Sequence, residues 1–245
     1  MNIRHFLSNV ICAFIPGKSR RDLVRTRIRY NTRPFIQFVR DYFSGQDIKI
    51  KTCVGGGCRN LIVLVDSRYA FKFPLRNNGY ERAMREFRIT TALRKYTKTR
   101  IPEMEIIQWR GLYVRKYEFF PGVVLDEIPA SIVALHRHHI ARQIASFIYE
   151  IGIADPVEIR DMKPNPDDVP GFMSGWFHND IGANFIINPE TFDIVGFIDW
   201  EVAKFTSFDL GFYIADHHWD KMGFRGMVVD VMREYTKLYY ANKKI

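Results

Sequence analysis

No apolar run in the 245-residue chain approaches the roughly 18–20 residues that a membrane-spanning helix requires, which excludes a helical integral membrane protein. Cysteine is scarce. Cys12, Cys53 and Cys58 form no paired framework and no zinc-type spacing, so a disulfide-stapled or zinc-built scaffold is excluded. A reducing compartment is the simplest reading. Internal repeats and long low-complexity tracts are absent. Net positive charge is also scarce outside one segment. The chain carries +9, yet residues 1–33 hold eight Lys/Arg against Asp22, which leaves only +2 for the remainder. The body of the protein is therefore not basic, and no nucleic-acid partner is expected. A basic face interleaved with stacking aromatics would be needed, and the basic segment offers only Tyr30. What is present is ordinary: 47% hydrophobic and 26% charged residues, enough for one two-lobed core or two small ones.

The basic segment has its own pattern. In "IRHFLSNVICAFI", residues 3–15, Ile3, Phe6, Leu7, Val10 and Phe14 recur at helical spacing on one face. Pro16-Gly17 stops the helix, and the cationic "KSRRDLVRTRIR" follows. An apolar helix followed by cations fits a membrane-surface anchor, with the apolar face in the lipid boundary and Lys/Arg on anionic headgroups. A signal peptide would carry its charge before the apolar stretch, whereas here the charge mostly follows. A helix packed on the body of the protein is the plain alternative.

Beyond it, residues 34–45 predict a further helix, and "DIKIKTCVGGGCRNLIVLVDSRYAFKFP" predicts three strands joined by a glycine-rich and a tight turn. "GYERAMREFRITTALRKY" predicts a helix with Ala83, Glu86, Thr90 and Leu93 on one face. "MEIIQW" and "LYVRKYEFF" predict two more strands, and Pro121-Gly122 end the second. The chain then turns helical, with Ile140, Ile144, Phe147, Ile148 and Ile151 forming a stripe. "DMKPNPDDVPG" reads as a loop and the tail from Phe208 as helices. The expected organisation is a basic N-terminal segment (1–45), a strand-rich lobe (46–121) and a helix-rich lobe (122–245).

One stretch carries chemistry. "WFHNDIGANFIINPETFDIVGFIDWE", residues 176–201, sets two strand-like runs around a polar turn. A hairpin accounts for residues 188–193. It leaves Asp180 and Asn184 before the first strand, and Asp199 at the end of the second, unexplained.

The order of these motifs resembles the protein-kinase-like fold over residues 50–220, in particular its aminoglycoside and choline phosphotransferase branch. The resemblance implies an α+β protein: an N-terminal antiparallel-sheet lobe with one helix, then a mostly helical C-terminal lobe. It implies an ATP- and Mg²⁺-dependent kinase, and its motifs carry over one at a time. "GGGCRN" matches the glycine-rich loop, where Gly55, Gly56 and Gly57 would let backbone N–H groups approach phosphate oxygens. "AFKFP" resembles the strand bearing the phosphate-binding lysine, and Lys72 alternates with Phe71 and Phe73 and so points away from them. "REFRITTAL" resembles the helix whose glutamate pairs with that lysine, Glu86, with Glu81 as the alternative. Glu118 and Phe120, where the two halves join, are implied as further cofactor-binding residues.

"FHND" resembles the catalytic loop, with Asp180 orienting the attacking hydroxyl and His178 supporting the loop. "FIDWE" resembles the strand end that supplies the magnesium-binding carboxylate, Asp199, with Asn184 as the second metal ligand. Asp209 in "SFDLGFY" matches an aspartate that braces the catalytic loop. The histidine clusters "HRHH" and "DHH" lack zinc spacing and read as surface or core residues.

The chain departs from the family at one point. The pattern H-x-D-x-x-x-x-N is one residue short here, with Asn184 four places after Asp180. Either Gly182 absorbs the change, or Asn184 no longer binds metal and the protein is a kinase-like binding module. Only ten positions separate Asp199 from Asp209, which leaves no room for a peptide-docking activation segment and favours a small-molecule or carbohydrate hydroxyl over protein. "ICAFIPGKSRR" looks like the opening of some bacterial glycosyltransferases that build lipopolysaccharide or surface glycans. With the anchor, it implies a phosphotransferase acting on an envelope or lipid-linked sugar at the cytoplasmic face of the membrane. A compact bacterial protein kinase or effector is the alternative.

Overall fold

Strict alternation governs the first half of the chain. The structure, a computed structural model, describes residues 3–15, 18–54, 60–75, 79–164, 174–182 and 184–242. The chain divides into two compact units, Met1–Met84 with Met104–Phe119, and Arg85–Glu103 with Phe120–Ile245.

The first unit is built on a five-stranded antiparallel sheet. Its strands are β1 (Ile50–Val54), β2 (Asn60–Val65), β3 (Tyr69–Pro74), β4 (Met104–Trp109) and β5 (Leu112–Glu118), in the order β1-β2-β3-β5-β4. Leu61 faces Phe73 and Val63 faces Phe71, and these four with Val65 and Val114 are buried on one side. The period of two therefore assigns Lys72, between the two phenylalanines, to the other side. The β4–β5 turn needs only Arg110 and Gly111, both at positive φ (48° and 75°), the twist that joins antiparallel strands tightly.

Three helices precede the sheet: α1 (Ile3–Ala13), α2 (Lys18–Arg29) and α3 (Arg33–Tyr42). The last covers the apolar side. Val39 is fully buried, Phe35 meets Phe73 edge-on at 5.0 Å, and Phe38 meets Trp109 at 4.9 Å. The sequence reading grouped residues 34–45 with the basic segment, but α3 supplies core to the sheet. Its aromatic spacing, Phe35-Phe38-Tyr42, is the signal for that.

α4 (Gly79–Leu93) belongs to both units by sequence, the division falling after Met84. Ala83, Glu86, Thr90 and Leu93, the face expected from the spacing, are all fully buried. The second unit continues with β6 (Val123–Val124), α5 (Ala130–Gly152), β7 (Ser174–Phe177), β8 (Phe185–Ile187), β9 (Ile194–Phe197), β10 (Lys204–Ser207), α6 (Phe208–Lys221) and α7 (Met227–Asn242). β8 and β9 form the hairpin expected around residues 188–193, with β6 added at its edge. β7 pairs with β10 as a separate two-stranded ribbon. The α5 stripe Ile140, Ile144, Phe147, Ile148 and Ile151 is buried, and Phe147 stacks on Phe197 at 3.7 Å. This packing fixes the end of β9, where Asp199 follows.

The ribbon lies against α5 at a glycine contact. A Cβ on Gly175 would stand 2.3 Å from the carbonyl oxygen of Gly152, a backbone atom that cannot swing aside. Gly175→Ala is therefore expected to cost about 1–3 kcal/mol of stability through overpacking. Urea unfolding checks this, and an unchanged midpoint would contradict the close approach.

Candidate active site

The polar residues of the 176–201 stretch gather on one hydrogen-bonded frame in the second unit. The segment after β7 begins with His178, which is buried and whose Nε2–H donates to the carbonyl of Ile198 at 2.8 Å. A carbonyl only accepts, so this bond fixes the proton on Nε2. The Asn184 side-chain amide donates to the backbone oxygen of Asp180 at 2.7 Å, and the Asn184 backbone carbonyl accepts the N–H of Ile198 at 2.8 Å. One asparagine thus ties the loop that carries Asp180 to the strand end that carries Asp199. With Nδ2 committed to that bond, Oδ1 is the Asn184 atom that remains to act as an acceptor.

Asp199 itself is left-handed, at φ 63°, ψ 63°, and Asn179 shares that region at φ 61°. Asp and Asn are the residue types that tolerate it, at a cost of order 1–2 kcal/mol each. The peptide units on both sides of Asp199 are clamped. The Ile198 carbonyl accepts the His178 Nε2–H at 2.8 Å, and the Trp200 N–H donates to Oε1 of Glu86 at 3.0 Å. Trp200 is anchored again by its indole N–H to the Phe197 carbonyl at 3.0 Å. A strained carboxylate held from two directions is a preorganised one.

α6 contributes two residues that the sequence reading passed over. The indole N–H of Trp219 donates to the Gly182 carbonyl at 2.9 Å, and Nδ1 of His218 lies 3.3 Å from Oδ1 of Asp180. A Cβ at position 182 would fall 2.5 Å from that of His218. Glycine is needed there for space: Gly182 is not among the positive-φ residues, so the expectation that it absorbs the missing loop residue by its flexibility is replaced by this close approach. Ala183 lies outside the described residues. Asp209, expected to brace the loop, is exposed in the first turn of α6; the contacts from that helix to the loop come from His218 and Trp219. "DHHW" was visible as a cluster, but no spacing rule links it to a loop 35 residues earlier.

In the first unit, Lys72 is buried on β3, opposite Ile62 on β2 and Arg115 on β5. Arg115 is fully buried on the same face and donates to Oδ1 of Asn60 at 2.6 Å. A second buried cation beside the lysine was not foreseen, because "LYVRKYEFF" gives no sign of which basic residue turns inward. The other, Lys116, faces the α3 side and bonds Glu105 at 2.8 Å and the Tyr42 hydroxyl at 2.9 Å. Burial opposes its charge, but these two partners outweigh burial and raise its pKa.

Of the remaining expected residues, Gly55, Gly56 and Gly57 lie outside the described residues. Glu118 ends β5, exposed, opposite Tyr69. Phe120 belongs to the second unit and its ring is structural: it lies under the Arg100 guanidinium at 4.4 Å, and Gly196 is a glycine because that ring fills the space of a Cβ. Only the backbone of Phe120 remains to meet a nucleotide. Glu81 lies in the exposed first turn of α4, whereas Glu86 is fully buried.

Two hard oxygen donors, the Asp199 carboxylate and Oδ1 of Asn184, suit magnesium. Among the described residues no group of three or more His, Cys, Asp or Glu could hold a metal. An ion held by these two donors would keep water or phosphate oxygens as its remaining ligands. A polar cavity of about 380 Å³, lined by Asp216, His217, Asp220, Arg225 and Gly226, opens on α6 away from the loop.

A five-stranded antiparallel sheet with its buried lysine, and a helical unit bearing the 178–199 frame, give the chain the protein-kinase-like fold. Within that class, the solved structures it resembles are aminoglycoside phosphotransferases. The GDP and kanamycin complex of an APH(2″) enzyme matches with a TM-score of 0.65 at 18% identity, over 83% of this chain and 82% of that one. The streptomycin–ATP complex of APH(2″)-IIa matches at 0.58 and 12%, over 84% and 86%. APH(3″)-Id from Streptomyces rimosus matches at 0.57 and 15%, over 84% and 92%. No family model matches the sequence, and no curated protein does. At these identities the likeness establishes the fold.

Proposed function

We propose that this protein is an ATP-dependent phosphotransferase that moves the γ-phosphate to a hydroxyl of a small molecule. The observation that carries the reading is the frame around Asn184, which holds the Asp180 loop and the Asp199 strand end together. Asp180 orients the acceptor hydroxyl and takes its proton. Lys72 is assigned to the α- and β-phosphates, and Glu86 to its positioning. Gly55, Gly56 and Gly57 are assigned to phosphate oxygens through their N–H groups, and Glu118 and Phe120 to the nucleotide. Asp199 and Asn184 would hold magnesium, which when bound neutralises charge on the phosphate oxygens. The kinase-like neighbours in nucleotide complexes support ATP as the donor.

A small acceptor is favoured over a peptide by the segment after Asp199. Residues 200–202 form a single helical turn, β10 follows, and α6 starts at Phe208, so regular structure fills the interval. We further infer an envelope sugar, free or lipid-linked, presented at the cytoplasmic face of the membrane. The charge concentrated in residues 1–33 and the likeness of "ICAFIPGKSRR" to surface-glycan enzymes support that choice.

The test is the mass of glycan from cells with and without the protein. A gain of one phosphate that needs the protein is expected. Phosphate appearing on lysate proteins instead would favour the protein-kinase reading. A purified protein whose melting temperature is unmoved by magnesium-ATP would favour the non-catalytic module.

A further inference from the structure

We propose that the α1–α2 hairpin is a docking surface for anionic bilayers, with an apolar ridge for the lipid and a two-arginine cavity for a lipid phosphate. Its direction of packing is the first argument. A helix recruited to a core buries its large apolar side chains, but α1 does the reverse. Phe6, Leu7, Val10, Ile11 and Phe14 are exposed, from 44% at Val10 and Ile11 to 84% at Phe14, while Ser8 and Cys12 are buried. α1 is packed by its polar side, against α2.

The polar side is fastened to α2. Nε of Arg29 donates to the Ser8 hydroxyl and Nη2 to Oδ1 of Asn9, both at 2.6 Å. The Cys12 thiol donates to the Arg21 carbonyl, and Nη1 of Arg21 to that of Ile15, each at 3.4 Å. These bonds hold the ridge outward at no cost to the core, and a continuous ridge of this kind on a soluble surface marks an interaction site.

Charge complementarity selects the partner. Between α1 and α2 lies a cavity of about 310 Å³ lined by Asn9, Cys12, Ala13, Arg21 and Arg25. A guanidinium presents a planar fork of N–H donors matched to phosphate oxygens, and two of them border this space. Residues 18–33 hold seven Lys/Arg against Asp22 alone. Ridge and cations together match a surface that is apolar inside and anionic at its headgroups. A nucleic acid would use the cations and leave Leu7, Val10 and Ile11 in water. The inference does not depend on the phosphotransferase reading.

The full chain is pelleted with phosphatidylcholine vesicles, with and without phosphatidylglycerol, at low and high salt. Binding is expected only with phosphatidylglycerol and is expected to fall with salt, since exposed charges are screened over roughly 10 Å at 0.1 M. Leu7→Asp with Phe14→Asp, which leaves the cations intact, and Arg21→Gln with Arg25→Gln, which keeps the apolar side chains and the Arg29 bonds to Ser8 and Asn9, are each expected to raise the lipid needed for half-binding by roughly tenfold or more, because neither signal alone anchors a protein stably. Phe14 is almost fully exposed, and melting curves verify that all variants stay folded. Four results would each overturn the proposal: no pelleting with phosphatidylglycerol at low salt; full binding by the aspartate variant, which marks a purely electrostatic patch; release by millimolar inorganic phosphate, which marks a soluble-anion site; or tighter retention of a DNA duplex than of vesicles.

Discussion

Asp180→Ala is expected to lower phosphoryl transfer by roughly 10²–10⁴-fold, the contribution of a positioned acid–base group. Its magnesium-ATP affinity should be unchanged. The reason is local: the Asn184 bond to the loop uses the backbone oxygen of Asp180, and the His178 bond to Ile198 does not involve residue 180, so both are kept in the variant. The carboxylate's neighbour, Nδ1 of His218, then has no acid to meet but remains on α6. Transfer from labelled ATP to glycan extract, from cells lacking the protein, is the readout. Undiminished turnover would remove Asp180 from the mechanism. Asp180→Asn is the control for shape. It keeps the side-chain volume and loses the basicity, so it should be nearly as inactive as the alanine variant.

Lys72→Ala should reduce transfer by on the order of 10²–10³-fold, as expected when one preorganised donor to a transferring phosphate is removed. Lys116→Ala is the informative contrast. The two lysines lie on adjacent strands, Lys72 paired with Arg115 and Lys116 with Phe71, yet Lys116 points to the α3 side and is satisfied by Glu105 and Tyr42. Its loss should cost stability of at most about 1 kcal/mol, typical of a partly exposed pair, and no activity. Glu86→Gln should copy Lys72→Ala in weaker form. It also loosens the clamp on Trp200, so a lowered melting temperature should accompany the lost activity. Glu81→Gln, at an exposed position, should change neither. If Glu81→Gln is instead the harmful change, the assignment of α4 is wrong.

Much of the second unit was legible because two periods are simple. The 3.6-residue repeat placed Glu86 on the buried face of α4 together with Ala83, Thr90 and Leu93. The hairpin of β8 and β9 followed from two apolar runs around "NPETFD". Asp180, Asn184 and Asp199 stood out because polar residues beside such strands are otherwise unexplained. What stayed hidden has one physical character: it depends on contacts between residues far apart in sequence. The Glu86 bond to Trp200 joins positions 114 apart, and the Trp219 bond to Gly182 joins positions 37 apart. β7 and β10 have four residues each, too few for a periodic signal, and they pair only with each other. For α1, amphipathy was visible, but the direction of its apolar side depends on Arg29 reaching back to Ser8. Asp209 misled for the opposite reason. A local motif matched while the bracing contacts came from the far end of the same helix.

The central claim is that Asp199 belongs to a magnesium-dependent nucleotide site, and calorimetric titration of ATP tests it most directly. Wild-type protein and Asp199→Ala are titrated with ATP in the presence of magnesium and again in excess chelator. Asp199 makes no side-chain cap to the turn that follows it, and melting curves of the two proteins establish that Asp199→Ala stays folded despite its left-handed backbone. The account predicts that magnesium tightens ATP binding to the wild-type protein and that Asp199→Ala loses this gain, binding alike in both buffers. Equal magnesium dependence in the two proteins, or no ATP binding by either, would contradict it.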